Sequence, residues 1–63
     1  MKEVMTVQEV AKILRVHPYT VTSQIRAGRL RAFKVSNRYR IRDEDLQAFM
    51  DEKVVPQEES EET

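Results

Sequence analysis

Two stretches with helical apolar spacing, Val7 to Leu14 and Pro18 to Ile25, are separated only by Arg15, Val16 and His17. This short connection constrains the fold more than any other feature, because both helices must bury their stripes within one small core. In the first stretch Val7, Val10, Ala11 and Leu14 recur at spacings of three and four, which predicts a helix from Val7 to Leu14 or Arg15. Its start is marked by Thr6-Val7-Gln8-Glu9, a capping box in which Thr6 accepts from the Glu9 amide and Glu9 reaches back to the Thr6 amide. Met5 precedes the cap and faces Val10 as a hydrophobic staple. A helix this short depends on tertiary packing for its stability.

Pro18 suits the first turn of a second helix, with His17 at the N-cap, a weaker choice than serine or aspartate. Val21 and Ile25 form its buried edge, and Ala27-Gly28 ends it, with Gly28 free to take a left-handed C′ conformation. Two short helices joined so closely read as a helix-turn-helix.

Leu30 to Val35 and Tyr39 to Ile41 contain β-branched and aromatic residues around the turn material Ser36-Asn37-Arg38. Alternation predicts a hairpin with Phe33, Val35, Tyr39 and Ile41 on its core face and Lys34, Arg38 and Arg40 outside. Ala32 fits either this hairpin or the end of the second helix. Asp43-Glu44-Asp45 then opens a closing helix, where acids complement the helix dipole, and Leu46, Phe49 and Met50 supply its apolar stripe. The expected architecture is mainly α with a small β-hairpin: a winged helix-turn-helix over residues 1–52, followed by an acidic disordered tail over residues 53–63.

With 63 residues the chain holds one small domain, and with no cysteine it has neither a disulfide nor a thiolate metal site. One glycine and one histidine leave no phosphate-cradling loop and no catalytic constellation, so no enzyme, metal or cofactor is expected. No apolar run approaches the ~18–20 residues of a membrane span. The N-terminal stretch also lacks the apolar centre of a signal peptide, so the expected location is cytoplasmic and nucleoid-associated, with no membrane partner.

The formal net charge of zero conceals a strong segregation. Ten basic and five acidic residues in 1–50 give +5, while one lysine and six acids in 51–63 give −5. Within residues 26–42 seven cations stand with no acid: Arg26, Arg29, Arg31, Lys34, Arg38, Arg40 and Arg42. Solvated faces usually mix both signs, and a one-sign cluster is relieved by a polyanion that releases counterions on binding.

The series T-V-Q-E-V-A-K-I-L-R-V, T-V, I-R-A-G-R-L, K-V-S-N-R-Y-R-I and D-E-D-L-Q-A-F resembles the excisionase-type helix-turn-helix family within the MerR-like winged-helix superfamily. The resemblance spans roughly residues 4–50, and its specificity lies in the order of the pieces. It implies a winged helix that binds DNA in phage, mobile-element and bacterial regulatory settings. His17-Pro18 departs from the usual serine-led cap, and Ser36-Asn37 occupies a turn where the family commonly has glycine.

If Val21 and Ile25 face inward, Tyr19, Thr22, Ser23 and Arg26 form the opposite stripe, suited to a major groove. The wing would follow the backbone or minor groove through Lys34, Ser36, Asn37, Arg38 and Arg40. Lys12, Arg15, His17, Thr20 and Arg29 are candidate phosphate contacts. The implied partner is double-stranded DNA, bound by a homodimer or cooperative array, with a recombinase or the transcription machinery as protein partner. The job is that of a transcriptional regulator or a recombination accessory factor. The alternative is a protein-interaction adaptor that keeps the fold without binding DNA.

Overall fold

The computed structural model describes residues 3–55. Strand β1 (Val4–Thr6) leads into helix α1 (Val7–Leu14), followed by helix α2 (Pro18–Arg26), strands β2 (Phe33–Val35) and β3 (Arg38–Arg42), and helix α3 (Asp43–Glu52). The three strands form one antiparallel sheet in the order β1-β3-β2. The winged helix-turn-helix expected from the sequence is present, and its sheet is one strand larger than the hairpin alone. Val4, Met5 and Thr6 pair with Arg42, Ile41 and Arg40, so the wing is tied to the entrance of α1.

Local chemistry sets the helix ends. The capping box forms with both bonds: the Glu9 amide donates to Thr6 Oγ1 at 3.1 Å and the Thr6 amide to Glu9 Oε1 at 2.9 Å. His17 caps α2 as its Nδ1 accepts from the Tyr19 amide at 3.0 Å. Both helices of the pair end in the Schellman pattern. After α1, the Val16 and Arg15 amides return to the Ala11 and Lys12 carbonyls; after α2, those of Arg29 and Gly28 return to Gln24 and Ile25. The left-handed residue is Gly28 (φ 80°) in the second case but Arg15 (φ 60°) in the first.

Met5, Val10, Ala11, Val21, Leu30, Ile41 and Leu46 form the core, and Val7, Leu14, Ile25, Ala32, Phe49 and Met50 pack around it. The staple partners Met5 and Val10 thus meet in the core, where Met5 also serves as the central residue of β1. Ala32 lies outside β2 and packs on the core.

The wing corrects the expected faces. Its turn is Ser36-Asn37 alone, both with positive φ (50° and 66°), as a two-residue type I′ connection requires. Arg38 therefore belongs to β3 and pairs with Val35, while Lys34 pairs with Tyr39 and Phe33 with Arg40. Residues directly opposite in an antiparallel pair share a face. Phe33, Val35, Arg38 and Arg40 thus lie together on the outward face, and Lys34 lies with Tyr39 and Ile41 on the other. A three-residue turn would have given the expected arrangement; shortening it by one residue exchanges the faces of one strand. Burial agrees: Ile41 is fully buried, whereas Phe33 and Val35 remain 38% and 49% exposed. Of the four residues expected on the core face, Ile41 is in the core and Tyr39 is half-buried on the same side, whereas Phe33 and Val35 face outward.

Lys53 caps α3, and Val54 and Val55 follow without regular structure. Most of the expected tail, residues 56–63, lies outside the described residues.

Candidate nucleic-acid interface

Helix α2 presents the stripe opposite its buried Val21. Tyr19, Ser23 and Arg26 are exposed and Thr22 is half-buried. Tyr19 stands out from the first turn with 68% of its surface open. The Thr22 hydroxyl donates to the Tyr19 carbonyl at 2.9 Å. Its hydrogen is therefore engaged within the helix, and Thr22 offers a methyl group and an acceptor to anything approaching from outside.

The wing comes close to this helix. A groove of about 480 Å³ is lined by Pro18, Tyr19 and Thr22 from α2 and by Arg38, Tyr39 and Arg40 from β3, with Thr6, Val7 and Gln8 completing its wall. No carboxylate lines it. The Arg40 guanidinium donates to the Tyr39 carbonyl at 3.0 Å, which holds its stem along the strand. Arg38 is exposed at the base of the turn, beside the exposed Ser36 and Asn37. Part of each expected set thus meets in a single concavity, Tyr19 and Thr22 from the helix and Arg38 and Arg40 from the wing, whereas Ser23, Arg26, Ser36 and Asn37 do not line it.

Lys34 does not join Arg38 and Arg40. Its ammonium lies over the Tyr39 ring, 5.3 Å from the centroid, on the opposite face of the sheet. On the outward face, the Arg42 guanidinium lies 5.8 Å from the Phe33 ring centroid and bonds Glu44 at 3.1 Å, with both charges exposed. Such an exposed pair contributes little to stability, but it leaves Arg42 more neutralised than its neighbours.

The remaining expected phosphate contacts are dispersed. Lys12 is exposed in the last turn of α1, Arg15 holds the left-handed end of that helix, and His17 is engaged as the cap of α2. Thr20 and Arg29 line a second groove, between α1, α2 and α3.

Sequence reasoning missed Thr6 and Gln8 as members of the groove wall. The only available signal was the pair Val4-Met5 before the cap, which could have been read as a strand bringing the start of α1 beside the wing.

Among the described residues no helix is long and apolar enough to cross a membrane, and no group of three or more histidine, cysteine or acidic residues could hold a metal ion. In comparisons with curated proteins and with solved structures, nothing matches at a significant level. A family described as "Helix-turn-helix domain" matches residues 4–54, from the first strand to just past the closing helix. This fold implies a double-stranded DNA partner. By that match, and by the helix pair and wing it covers, the chain belongs to the helix-turn-helix domain family.

Proposed function

We propose that this chain is a sequence-specific double-stranded DNA-binding protein that reads the major groove with α2 and grips the backbone or adjoining minor groove with its wing. The observation that carries this reading is the acid-free groove in which Tyr19 and Thr22 face Arg38 and Arg40. The N-terminal part of a recognition helix enters a major groove first, so Tyr19 and Thr22 are the deepest readers and Arg26 reads from the far end. Arg26 can donate two hydrogen bonds to a guanine edge. With its hydroxyl hydrogen engaged, Thr22 favours a thymine methyl over a phosphate oxygen.

Ser36, Asn37 and Arg38 form the advancing tip of the wing, where an arginine is favoured by a narrow A·T-rich minor groove. A reader this small covers few base pairs, so binding as a dimer or cooperative array on repeated half-sites follows. Its biological role is that of a cytoplasmic transcriptional regulator or an excisionase-like recombination accessory factor, acting alongside the transcription machinery or a recombinase. Neither role requires a catalytic group on this chain.

Titration of the full chain with short duplexes at several salt concentrations tests the reading. Affinity should fall steeply with salt, and Arg26→Ala or Thr22→Ala should erode sequence preference more than total affinity. Undetectable duplex binding at low salt would leave only the adaptor role.

A further inference from the structure

Away from the wing, a second groove of about 240 Å³ opens between the end of α1, helix α2 and helix α3. Leu14, Val16, Val21, Leu30 and Phe49 make its apolar part, Arg29 and Lys53 are its two cations, and no carboxylate lines it. The Lys53 ammonium sits 5.1 Å from the Phe49 ring centroid, over the apolar surface. The volume falls below the roughly 300–1,000 Å³ of small-molecule pockets, a size that suits the side chains of a docked segment.

A segment of matching chemistry is attached to the rim of this groove. Immediately after Lys53 come Val54 and Val55, 71% and 57% exposed in the described conformation, and then Pro56-Gln57-Glu58-Glu59-Ser60-Glu61-Glu62. Its order is apolar residues first and four carboxylates after, with no cation among them. The groove offers the complement, an apolar surface beside two cations without an acid. Because Lys53 itself lines the groove, the segment begins within reach, and tethering gives it an effective concentration on the order of millimolar.

We propose that residues 54–62 dock in cis on this groove, with Val54 and Val55 against Val16 and Phe49 and the glutamates against Arg29 and Lys53. Docking covers Thr20 and Arg29, so the docked segment competes with phosphates for that flank of the helix-turn-helix. The competition rests on the DNA-binding reading above; the docking itself does not.

Side-chain NMR of the full chain without DNA tests the docking. Two variants leave the described core intact: Val54→Ser with Val55→Ser, and glutamine replacing Glu58, Glu59, Glu61 and Glu62. Both variants, and added salt, should move the Leu14, Val16 and Phe49 signals in the same direction. If either variant leaves them in place, the segment does not bind as a unit and the proposal fails. Shifts that depend on protein concentration would place the segment on another copy and overturn docking in cis.

Duplex titration tests the competition. The valine variant leaves the net charge unchanged, so general repulsion between tail and DNA stays the same. It should still raise DNA affinity about twofold or more, the gain from removing a closed state at least as populated as the open one. Unchanged affinity with NMR shifts present would overturn the competition, whereas absence of all duplex binding would overturn the DNA reading and leave the docking to be judged by NMR alone.

Discussion

Val35 and Arg38 are directly paired across a turn of only two residues, Ser36 and Asn37. This pairing places Arg38, Arg40 and the apolar pair Phe33 and Val35 on one side of the wing and sends Lys34 to the other. The electrostatic face of the wing is therefore an arginine face. A salt titration with DNA should show it: Arg38→Ala and Arg40→Ala each lower the slope of log affinity against log salt by about 1, and Lys34→Ala lowers it less. Equal slopes for all three variants would contradict the register's assignment of Lys34 to the opposite face.

The same register predicts unequal costs for truncating wing residues. Ile41 is fully buried, so Ile41→Ala should cost roughly 2–5 kcal/mol in denaturant unfolding. Phe33 lies on the outward face under the Arg42 guanidinium, and Phe33→Ala should cost only about 1 kcal/mol, well short of a core phenylalanine.

Ser36 and Asn37 both hold positive φ, a geometry in which Asn-Gly is the preferred pair. Changing Ser36→Asn together with Asn37→Gly should stabilise the fold by roughly 0.5–1 kcal/mol. In a domain of this size that raises Tm by several degrees, about 4–8 °C per kcal/mol. A lowered Tm would mean that the turn residues are held by something other than their backbone preference.

Arg15 and Gly28 occupy equivalent left-handed positions at the ends of α1 and α2. A side chain there costs roughly 1–2 kcal/mol, partly offset in the unfolded chain because glycine has more freedom to lose. Arg15→Gly should therefore raise stability by up to about 1 kcal/mol. Gly28→Ala should lower it by a similar net amount, up to about 1 kcal/mol. A Cβ at Gly28 would meet nothing within 4 Å, so that loss comes from the backbone alone. If Arg15 touches phosphate, its glycine variant becomes more stable while binding DNA more weakly, a divergence that paired unfolding and titration measurements can resolve.

His17 caps α2 through Nδ1 without the favoured short side chain. His17→Ser should hold or raise thermal stability, whereas His17→Ala should lose about 1 kcal/mol as the Tyr19 amide loses its acceptor.

What the sequence determined by itself is the set of features decided within one turn of chain. The capping box at Thr6 and Glu9, proline at the head of α2, the left-handed glycine after it and the apolar stripes of all three helices depend on contacts between residues three to six apart. The helix-turn-helix and its exposed stripe from Tyr19 to Arg26 were legible for that reason, and so was the excess of cations. The faces of the wing were not, because strand parity rests on whether the turn takes two residues or three, and Ser36-Asn37-Arg38 suits either count. Strand β1 was equally hidden: three residues carry too short an alternation, and their pairing with Arg40, Ile41 and Arg42 spans most of the domain. Only the tertiary structure decided those two points. They place Thr6 and Gln8 beside Arg38 and Arg40 and bring parts of two separate sequence signals, Tyr19 and Thr22 of the α2 stripe and Arg38 and Arg40 of the basic run, into the walls of one groove.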